Sequence, residues 1–197
     1  MAENEKTVEV AAENAPKGRK NFSGRAKNDK REPRERKERE VSDIEKRIVD
    51  VRRVQKVVQG GRTLRFSALV VVGDRKGKVG LGIGKSKDVS SAIEKATTIA
   101  KKNMKMIPIV NGTIPHEIIG KFSSTNMLML PAPDGTGVIA GGSARAVIEL
   151  AGIHNIVTKK HGSSNKINCV KATMQGLLSL KTKEEIARRR GKSVEEI

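Results

Sequence analysis

Residues 60–96 read GGRTLRFSALVVVGDRKGKVGLGIGKSKDVSSAIEKA, and this stretch decides the fold of the chain. Apolar residues alternate with other residues over positions 64–72, which is the period of a half-buried β-strand. Residues 73–77, GDRKG, supply turn chemistry, because glycine adopts positive φ without steric cost. The pattern therefore predicts a strand, a tight turn and a returning strand.

The returning strand, residues 78–84, places glycine at every second position. One face carries apolar side chains and the other has none, so another backbone or a helix can approach that bare face closely. A helix is predicted next, capped by Asp88 and extending to Met104, because its apolar residues recur at spacings of three and four. We expect this helix to pack on the sheet.

A long strand is predicted before this stretch, from Lys46 to Val58, because β-branched residues dominate it. Residues 59–62 then turn the chain back, which makes a short, glycine-rich and cationic hairpin tip. Such a backbone can press against phosphates, although an ordinary hairpin with a soluble tip explains the same residues. The predicted RNA-binding residues are Arg52, Arg53, Lys56, Gly60, Gly61, Arg62 and Arg65, followed by Lys85, Lys87 and Lys121.

The charge of the chain favours a polyanionic partner. Forty Lys and Arg residues against 22 Asp and Glu residues give a formal net charge of +18. The chain has no Trp or Tyr and only three Phe residues, so stacking of splayed bases is a poor explanation of binding. We therefore expect recognition of phosphates and of the shape of folded RNA. No apolar run is long enough to span a membrane.

Composition divides the chain into a tail and two domains. Residues 1–42 predict a basic disordered tail, which is either simply solvated or an RNA-contacting extension. Residues 43–122 form the first domain, with a hairpin predicted at Asn111-Gly112. Residues 123–197 form a small α/β domain in the order strand, helix, strand, helix. Its predicted elements are a strand at 127–130, a glycine loop at 134–142, a helix at 143–151 ending at Gly152, a strand at 153–157, a helix capped by Ser164 or Asn165, and a final helix that begins at Thr182.

Sequence motifs argue against an enzyme. The run GLGIGKS at 80–86 lacks the spacing of a phosphate-binding loop, and its glycines lie inside a strand. The three histidines are scattered, no pair of carboxylates stands out, and Cys169 is alone, so no catalytic set, metal site or cofactor is predicted. The loop at 135–142 precedes a helix and can hold an anion, with Arg145 adding charge, or it can pack against a partner. A nucleotide-binding enzyme of the small-molecule kinase type is the alternative reading of this loop.

Three separated blocks resemble bacterial-type small ribosomal subunit protein five, a universal ribosomal family. They run from the Gly60-Gly61-Arg62 turn to Ala96, from Pro131 to Gly152, and from Gly162 to Ser193. The matching residues include VVGD at 71–74, GTG at 135–137, IAGG at 139–142, RAV at 145–147, ELAG at 149–152, KAT at 171–173 and RGKS at 190–193.

The resemblance implies two domains, the first like the double-stranded RNA-binding fold and the second with a left-handed crossover. It implies a structural, non-enzymatic component of the small ribosomal subunit in the cytoplasm that binds ribosomal RNA and helps assembly and translational accuracy. It also implies contact with small-subunit protein four and a position near the path of incoming messenger RNA. We predict a partner contact at Gly135, Gly137 and Arg145, with either a protein or an RNA backbone as the partner. The tip at 52–62 matches the family loop beside the spectinomycin site, with Gln59 where the family often has Lys.

Overall fold

A computed structural model of the chain describes residues 44–193 and residue 196, so the predicted tail at 1–42 lies outside the described residues. The first sheet is antiparallel, with strand order β1-β2-β3-β4. Its strands are β1 (Glu45–Val58), β2 (Gly61–Gly73), β3 (Lys78–Ser86) and β4 (Lys105–Met106). One helix, α1 (Val89–Lys102), packs on one face of this sheet. The predicted antiparallel sheet covered by a helix is confirmed.

The glycine face of β3 is where α1 approaches the sheet. A Cβ atom added at Gly82 would overlap the carbonyl oxygen of Ala96, and the glycines on either side meet α1 in the same way. Three helix alanines are completely buried at this contact, namely Ala92, Ala96 and Ala100. Asp88 occupies the N-cap position as expected, but its side chain makes no capping hydrogen bond, and the helix ends at Lys102 rather than at Met104.

The second sheet has strand order β5-β6-β8-β7. Its strands are β5 (Ile118–Phe122), β6 (Thr125–Pro131), β7 (Val138–Ile139) and β8 (Ile156–Gly162), and the helices that follow in the chain are α2 (Gly142–Ala151), α3 (Lys166–Ser179) and α4 (Lys183–Arg190). Helix α2 connects the parallel pair β7 and β8, while the other pairs are antiparallel. The predicted strand–helix–strand–helix order is present, with β5 and β7 as additional strands, but the strand after α2 covers Ile156–Gly162 rather than 153–157.

The second sheet begins earlier than expected from the sequence. Strand β5 pairs with β6 along its whole length, so the expected division after Phe122 falls in the turn of a hairpin. The Asn111-Gly112 turn forms, with φ values of 49° and 71° and a bridge between Val110 and Thr113. Its flanking segments are not strands, however, because the buried Ile107 donates its backbone N–H to Gly77 instead of to a hairpin partner.

Helix ends follow the sequence closely. Gly152 ends α2 with φ of 88°, and Gly191 ends α4 with φ of 64°. The Asn165 side chain accepts a hydrogen bond from the backbone N–H of Ile167, and Thr182 accepts one from Glu185. The predicted caps at Gly152, Asn165 and Thr182 are confirmed, because glycine and short polar side chains satisfy the free backbone groups at helix ends.

The β2–β3 turn joins the two domains. The backbone N–H of Arg75 donates to the carbonyl oxygen of Leu150 at 3.1 Å, and that of Gly77 donates to Ala151 at 2.9 Å. The turn therefore satisfies carbonyl groups that the C-terminal end of α2 would otherwise leave without partners. Side chains from the first sheet also enter the core of the second domain, namely Leu69, Val71 and Val79. The face of the first sheet opposite α1 therefore shares one core with the second domain, while α1 covers a separate cluster on the other face.

Within residues 44–193 and 196, the helices are all too short or too polar to cross a membrane.

Candidate RNA interface

The β1–β2 hairpin extends beyond the rest of its sheet. The last residue of β3, Ser86, pairs with Phe66, so the hairpin continues past this point as two strands only. We call residues 54–65 the ribbon. Its tip is a two-residue turn at Gln59-Gly60, closed by pairing of Val58 with Gly61. An isolated two-stranded hairpin is only marginally stable in water, which makes the ribbon a segment that benefits from a partner.

The two faces of the ribbon carry different side chains. Residues paired directly across an antiparallel ladder share a face, and successive residues alternate between faces. Phe66 packs beside the α1 core, so its partner Arg53 lies on the same side of the sheet. Arg62 and Leu64 follow on that face by alternation. The opposite face carries Arg52, Val54, Lys56, Val58, Thr63 and Arg65.

A groove lies along that opposite face. Lys56 and Arg65 line it together with Lys85, whose neighbour across the ladder is Ser67. The apolar walls come from Val54 and Val58, which are 38% and 43% exposed. All three cations are exposed, and among the described residues none of them forms an ion pair. The groove thus presents three positive charges that the protein itself leaves unneutralised.

Arg52 occupies the same face but has a partner within the protein. Its Nε group lies against Asp50 Oδ2, while Lys166 Nζ donates to Asp50 Oδ1 at 2.9 Å. The Asp50 side chain is only 13% exposed. The hydrogen bond from Lys166 holds the pKa of Asp50 below its ordinary value, and Arg52 adds to this effect against the opposing effect of burial. The three residues tie the base of the ribbon to the start of α3.

The remaining predicted RNA contacts lie in three places. Gly60 and Gly61 form the tip with φ of 91° and 137°, and a Cβ atom at either would meet nothing within 4 Å. Their bare backbone is therefore accessible. Lys87 is exposed in the bend between β3 and α1. Lys121 lies in β5, on the second sheet, so the structure does not bring it into the groove with the ribbon cations.

The glycine loop at 134–142 is ordered by a buried asparagine. Asn155 Nδ2 donates to Asp134 Oδ1 at 3.0 Å, and Asn155 Oδ1 accepts from the backbone N–H of Gly137 at 3.1 Å. Positions 135 and 137 both have positive φ and open space around them. The Arg145 guanidinium donates to the carbonyl of Val138 at 3.0 Å and lies 3.8 Å from Glu149. The loop is an open, preformed surface whose arginine already has partners in the chain.

Two functional groupings were missed at the level of sequence. The first is the brace, the ion pair of Asp50 with Lys166, which joins positions 116 residues apart. The sequence contains one indication of this pair. A lysine as the first residue of a helix is unfavourable beside the positive end of the helix dipole, which indicates an acidic neighbour. Asn155 gave no comparable signal, because an asparagine between a helix and a strand is common in exposed turns.

The nucleotide-binding reading of residues 80–86 finds no support in the geometry. These residues lie in β3, and their bare face is filled by α1, so no loop is available there to surround a phosphate. Across residues 44–193 and 196, His, Cys, Asp and Glu side chains nowhere gather in a set of three that could hold a metal ion. Cys169, the single cysteine of the sequence, is buried in α3.

Comparisons with known proteins agree with this geometry. Residues 44–108 match the family described as "Ribosomal protein S5, N-terminal domain", and residues 120–190 match "Ribosomal protein S5, C-terminal domain". The small ribosomal subunit protein uS5 of Thermotoga petrophila is 50% identical over 161 residues, which cover 82% of this chain and 90% of the relative. The uS5 protein of Thermotoga maritima is 49% identical over the same shares. The chain belongs to the ribosomal protein S5 family.

Proposed function

We propose that this chain is a structural component of the small ribosomal subunit, in the cytoplasm, and that its ribbon binds ribosomal RNA. Family membership supports the role in the subunit. The groove is the observation that supports RNA binding by the ribbon. There Lys56, Arg65 and Lys85 converge without acidic partners among the described residues. Arg53 and Arg62 add two positive charges on the other face.

Phosphate groups are the natural ligands of this arrangement. Arginine and lysine contacts to phosphates release counterions, which supplies affinity without reading the base sequence. The exposed glycine backbone at the tip lets a ribose–phosphate chain approach closely, while the valines of the groove can pack against sugars. Because the sequence contains no Trp or Tyr, binding to the ribose–phosphate chain is favoured over base stacking.

The brace at Asp50 serves the same function indirectly. It holds the base of the ribbon against α3, which limits how far the two-stranded hairpin can swing before RNA binds. Arg52 shares its charge with Asp50, and we assign it this positioning role first, with any phosphate contact second. A ligand that binds a fixed surface avoids the entropy cost of ordering it.

The glycine loop is assigned to a protein contact. Its positive-φ glycines leave the backbone bare, and the hydrogen bonds of Asn155 hold it in one conformation. By family resemblance the partner is small-subunit protein four, and changes at this contact alter decoding accuracy. On the same resemblance, we propose that the ribbon lies near the spectinomycin site and the chain near the path of incoming messenger RNA.

A salt titration of RNA affinity tests the ribbon. Small-subunit ribosomal RNA is titrated with the full chain at several salt concentrations, and the logarithm of the affinity is plotted against the logarithm of salt. Each phosphate contact contributes about 0.9 to the slope, so removing three cations with Lys56→Ala, Arg65→Ala and Lys85→Ala should reduce its magnitude by roughly 2 to 3.

A matched variant removes three exposed lysines of α1 instead, through Lys95→Ala, Lys101→Ala and Lys102→Ala. It should change the slope by less than about 1, since one contact contributes about 0.9. Equal reductions in both variants, with unchanged melting temperatures, would show that net charge alone matters and would exclude the groove. An unchanged slope in the groove variant would place the RNA on another surface.

A further inference from the structure

The charges at the start of the sequence divide into two blocks. Residues 1–16 contain four glutamates and one lysine, whereas residues 17–39 contain eleven Lys and Arg residues against four Asp and Glu residues. The first block is therefore negative in a chain whose formal net charge is +18. We call residues 3–13, ENEKTVEVAAE, the acidic segment. The family models match from residue 44 onward, so family membership does not account for this segment.

Glutamates and valines occupy alternate positions of the acidic segment. All four glutamates fall at odd positions, namely 3, 5, 9 and 13, while Val8 and Val10 fall at even positions. Successive side chains of an extended segment point to opposite faces, so this order gives one acidic face and one face that carries the valines. Threonine and valine also favour extended structure. The pattern is typical of a strand with two different faces.

The outer edge of β1 is open to a further strand. β1 stands last in its sheet, and within residues 44–193 and 196 it pairs with β2 only. Residues 51–58 of β1 are all exposed. An edge strand presents unpaired N–H and C=O groups, which are a template for pairing with another extended segment. This part of the edge is long enough to pair with most of the acidic segment.

The side chains beside this edge differ between the two faces of the ribbon. On the groove face, Lys56 lies next to the edge, and Arg65 follows on β2. On the other face, Val51 and Val57 of β1 are 39% and 71% exposed. An acidic segment paired here would place its glutamates beside Lys56 on one face and its valines beside Val57 on the other. One orientation therefore matches charge and hydrophobicity together.

The same edge disfavours a second copy of this chain. Arg53 and Lys56 form no ion pair among the described residues, and an edge strand with free positive charges repels another of its kind. An acidic strand is not repelled in this way. It is also within reach, because residues 14–44 can span about 100 Å at about 3.3 Å each. The whole of β1, with 14 residues, is roughly 45 Å long.

We propose that the acidic segment adds to the outer edge of β1 as a further strand when RNA is absent, with its glutamates over the groove. It supplies a third strand to the ribbon, whose two strands alone are marginally stable. It also neutralises groove cations that otherwise attract any polyanion, so RNA binds the groove only by displacing it. The docking is independent of the proposed function, while the competition with RNA rests on it.

Paramagnetic labelling of the full chain tests the docking without RNA. Cys169 is the single cysteine and is buried, so a nitroxide label can be attached at one introduced thiol. A label at Thr63→Cys lies on the groove face, and it should broaden the NMR signals of the acidic segment at low salt. A label at Lys102→Cys lies at the other end of the sheet, where the end of α1 approaches the start of β3, and should leave these signals sharp. Equal broadening from both labels, or none from Thr63→Cys, would overturn the proposal.

Hydrogen exchange distinguishes strand pairing from loose electrostatic association. Alternate amides of residues 51–58 point away from β2, and pairing with a further strand protects them from exchange. Deletion of residues 2–13 should therefore speed the exchange of these outward amides, while the amides that donate to β2 should change little. Unchanged exchange at the outward amides would contradict a further strand.

RNA affinity measures the competition. If the segment is docked in about nine chains of ten, its deletion should tighten binding of small-subunit ribosomal RNA by about tenfold. The variant Glu5→Gln, Glu9→Gln and Glu13→Gln should show most of this gain, but it also raises the net charge. The control variant keeps composition and net charge and mixes the two faces, through Glu9→Val with Val10→Glu and Ala12→Glu with Glu13→Ala.

The affinities of these two variants separate a docked strand from a general charge effect. Tighter RNA binding by the face-mixed variant, as by the Gln variant, supports displacement of a strand with one acidic face. Wild-type affinity in the face-mixed variant, with tighter binding by the Gln variant, would show that net charge alone acts and would overturn the proposal. Docking by NMR with no change of RNA affinity in any variant would retain the further strand, and would overturn both its competition with RNA and the groove as the RNA site.

Discussion

Replacement of Gly82 by alanine tests whether the bare face of β3 determines how closely α1 packs. The added Cβ atom would overlap the carbonyl oxygen of Ala96 and lie 2.6 Å from the backbone nitrogen of Ala100. Both contacts are with backbone atoms, which a change of rotamer cannot move. Restoring an ordinary separation of 3.4 Å from the nitrogen alone requires the helix to retreat by roughly 0.8 Å, and the tighter oxygen contact requires a larger retreat.

The loss of stability follows from the contacts between α1 and the sheet that this retreat weakens. Three fully buried alanines of α1 contact the sheet, and a gap of 0.5–1 Å forfeits about a quarter to a half of the dispersion energy at each contact. Overpacking of this kind costs about 1–3 kcal/mol, and a backbone obstacle places Gly82→Ala near the upper end. Reduced freedom of the unfolded chain offsets about 0.4–1 kcal/mol. We expect a net loss of about 2–2.6 kcal/mol, which lowers the melting temperature of a chain of this size by about 4–10 °C.

Chemical denaturation and thermal melting of the full chain measure this loss. Gly142→Ala is the matched control, because it sits in the first turn of α2 with ordinary φ and nothing within 4 Å of its added Cβ. The control should be neutral or more stable by up to about 1 kcal/mol, since alanine favours helix over glycine. If Gly82→Ala instead proves as stable as wild type, α1 does not rest on the backbone of β3 and the reasoning is wrong.

Three further predictions concern the brace, the joint between domains and the glycine loop. Because Asp50 has a lowered pKa in the folded chain, the Asp50 carboxylate should stabilise the fold above about pH 4 and lose this effect as the pH falls further. The free energy of unfolding of wild type should therefore exceed that of Asp50→Asn by more at pH 7 than at pH 3. Gly152→Ala should lower the free energy of unfolding by about 2–4 kcal/mol in the same assay, because the position has φ of 88° and the new Cβ would overlap the carbonyl oxygen of Arg75. An unchanged free energy of unfolding would contradict the docking of the β2–β3 turn on α2. Calorimetric titration with magnesium–ATP should give no binding heat, since Arg145 already donates to Val138 and the loop offers one carboxylate; micromolar binding would restore the kinase-type alternative.

The sequence predicts most of the first domain because its signals are local. Alternation along β2, glycine periodicity in β3 and the spacing of alanines in α1 each report on a neighbour that is close in the chain. The cap at Asn165 is predictable for the same reason. The side chain of Asp88 shows the limit of such reasoning, because residue type gives the cap position but leaves open which hydrogen bond is made.

What the sequence does not predict depends on distant pairing. Strand β5 follows the predicted Asn111-Gly112 turn, so the sequence suggests that it belongs to that hairpin. Its partner is β6 instead, which becomes evident only in the folded sheet. The separation of ribbon cations into two faces requires the register of β1 with β2. The engagement of Asp50 by Lys166 depends on how the second domain packs against β1.

This packing bears on how RNA binding and the protein contact can influence each other. The β2–β3 turn closes the end of α2 through Arg75 and Gly77, and α2 begins directly after the glycine loop. At the other end of β2, the same strand carries Arg65 into the groove. A displacement of the loop is therefore transmitted to the groove only by moving the shared core, which close packing resists. We conclude that the two surfaces hold a fixed mutual geometry, so a change at the protein contact proposed for the glycine loop should leave RNA binding by the ribbon intact.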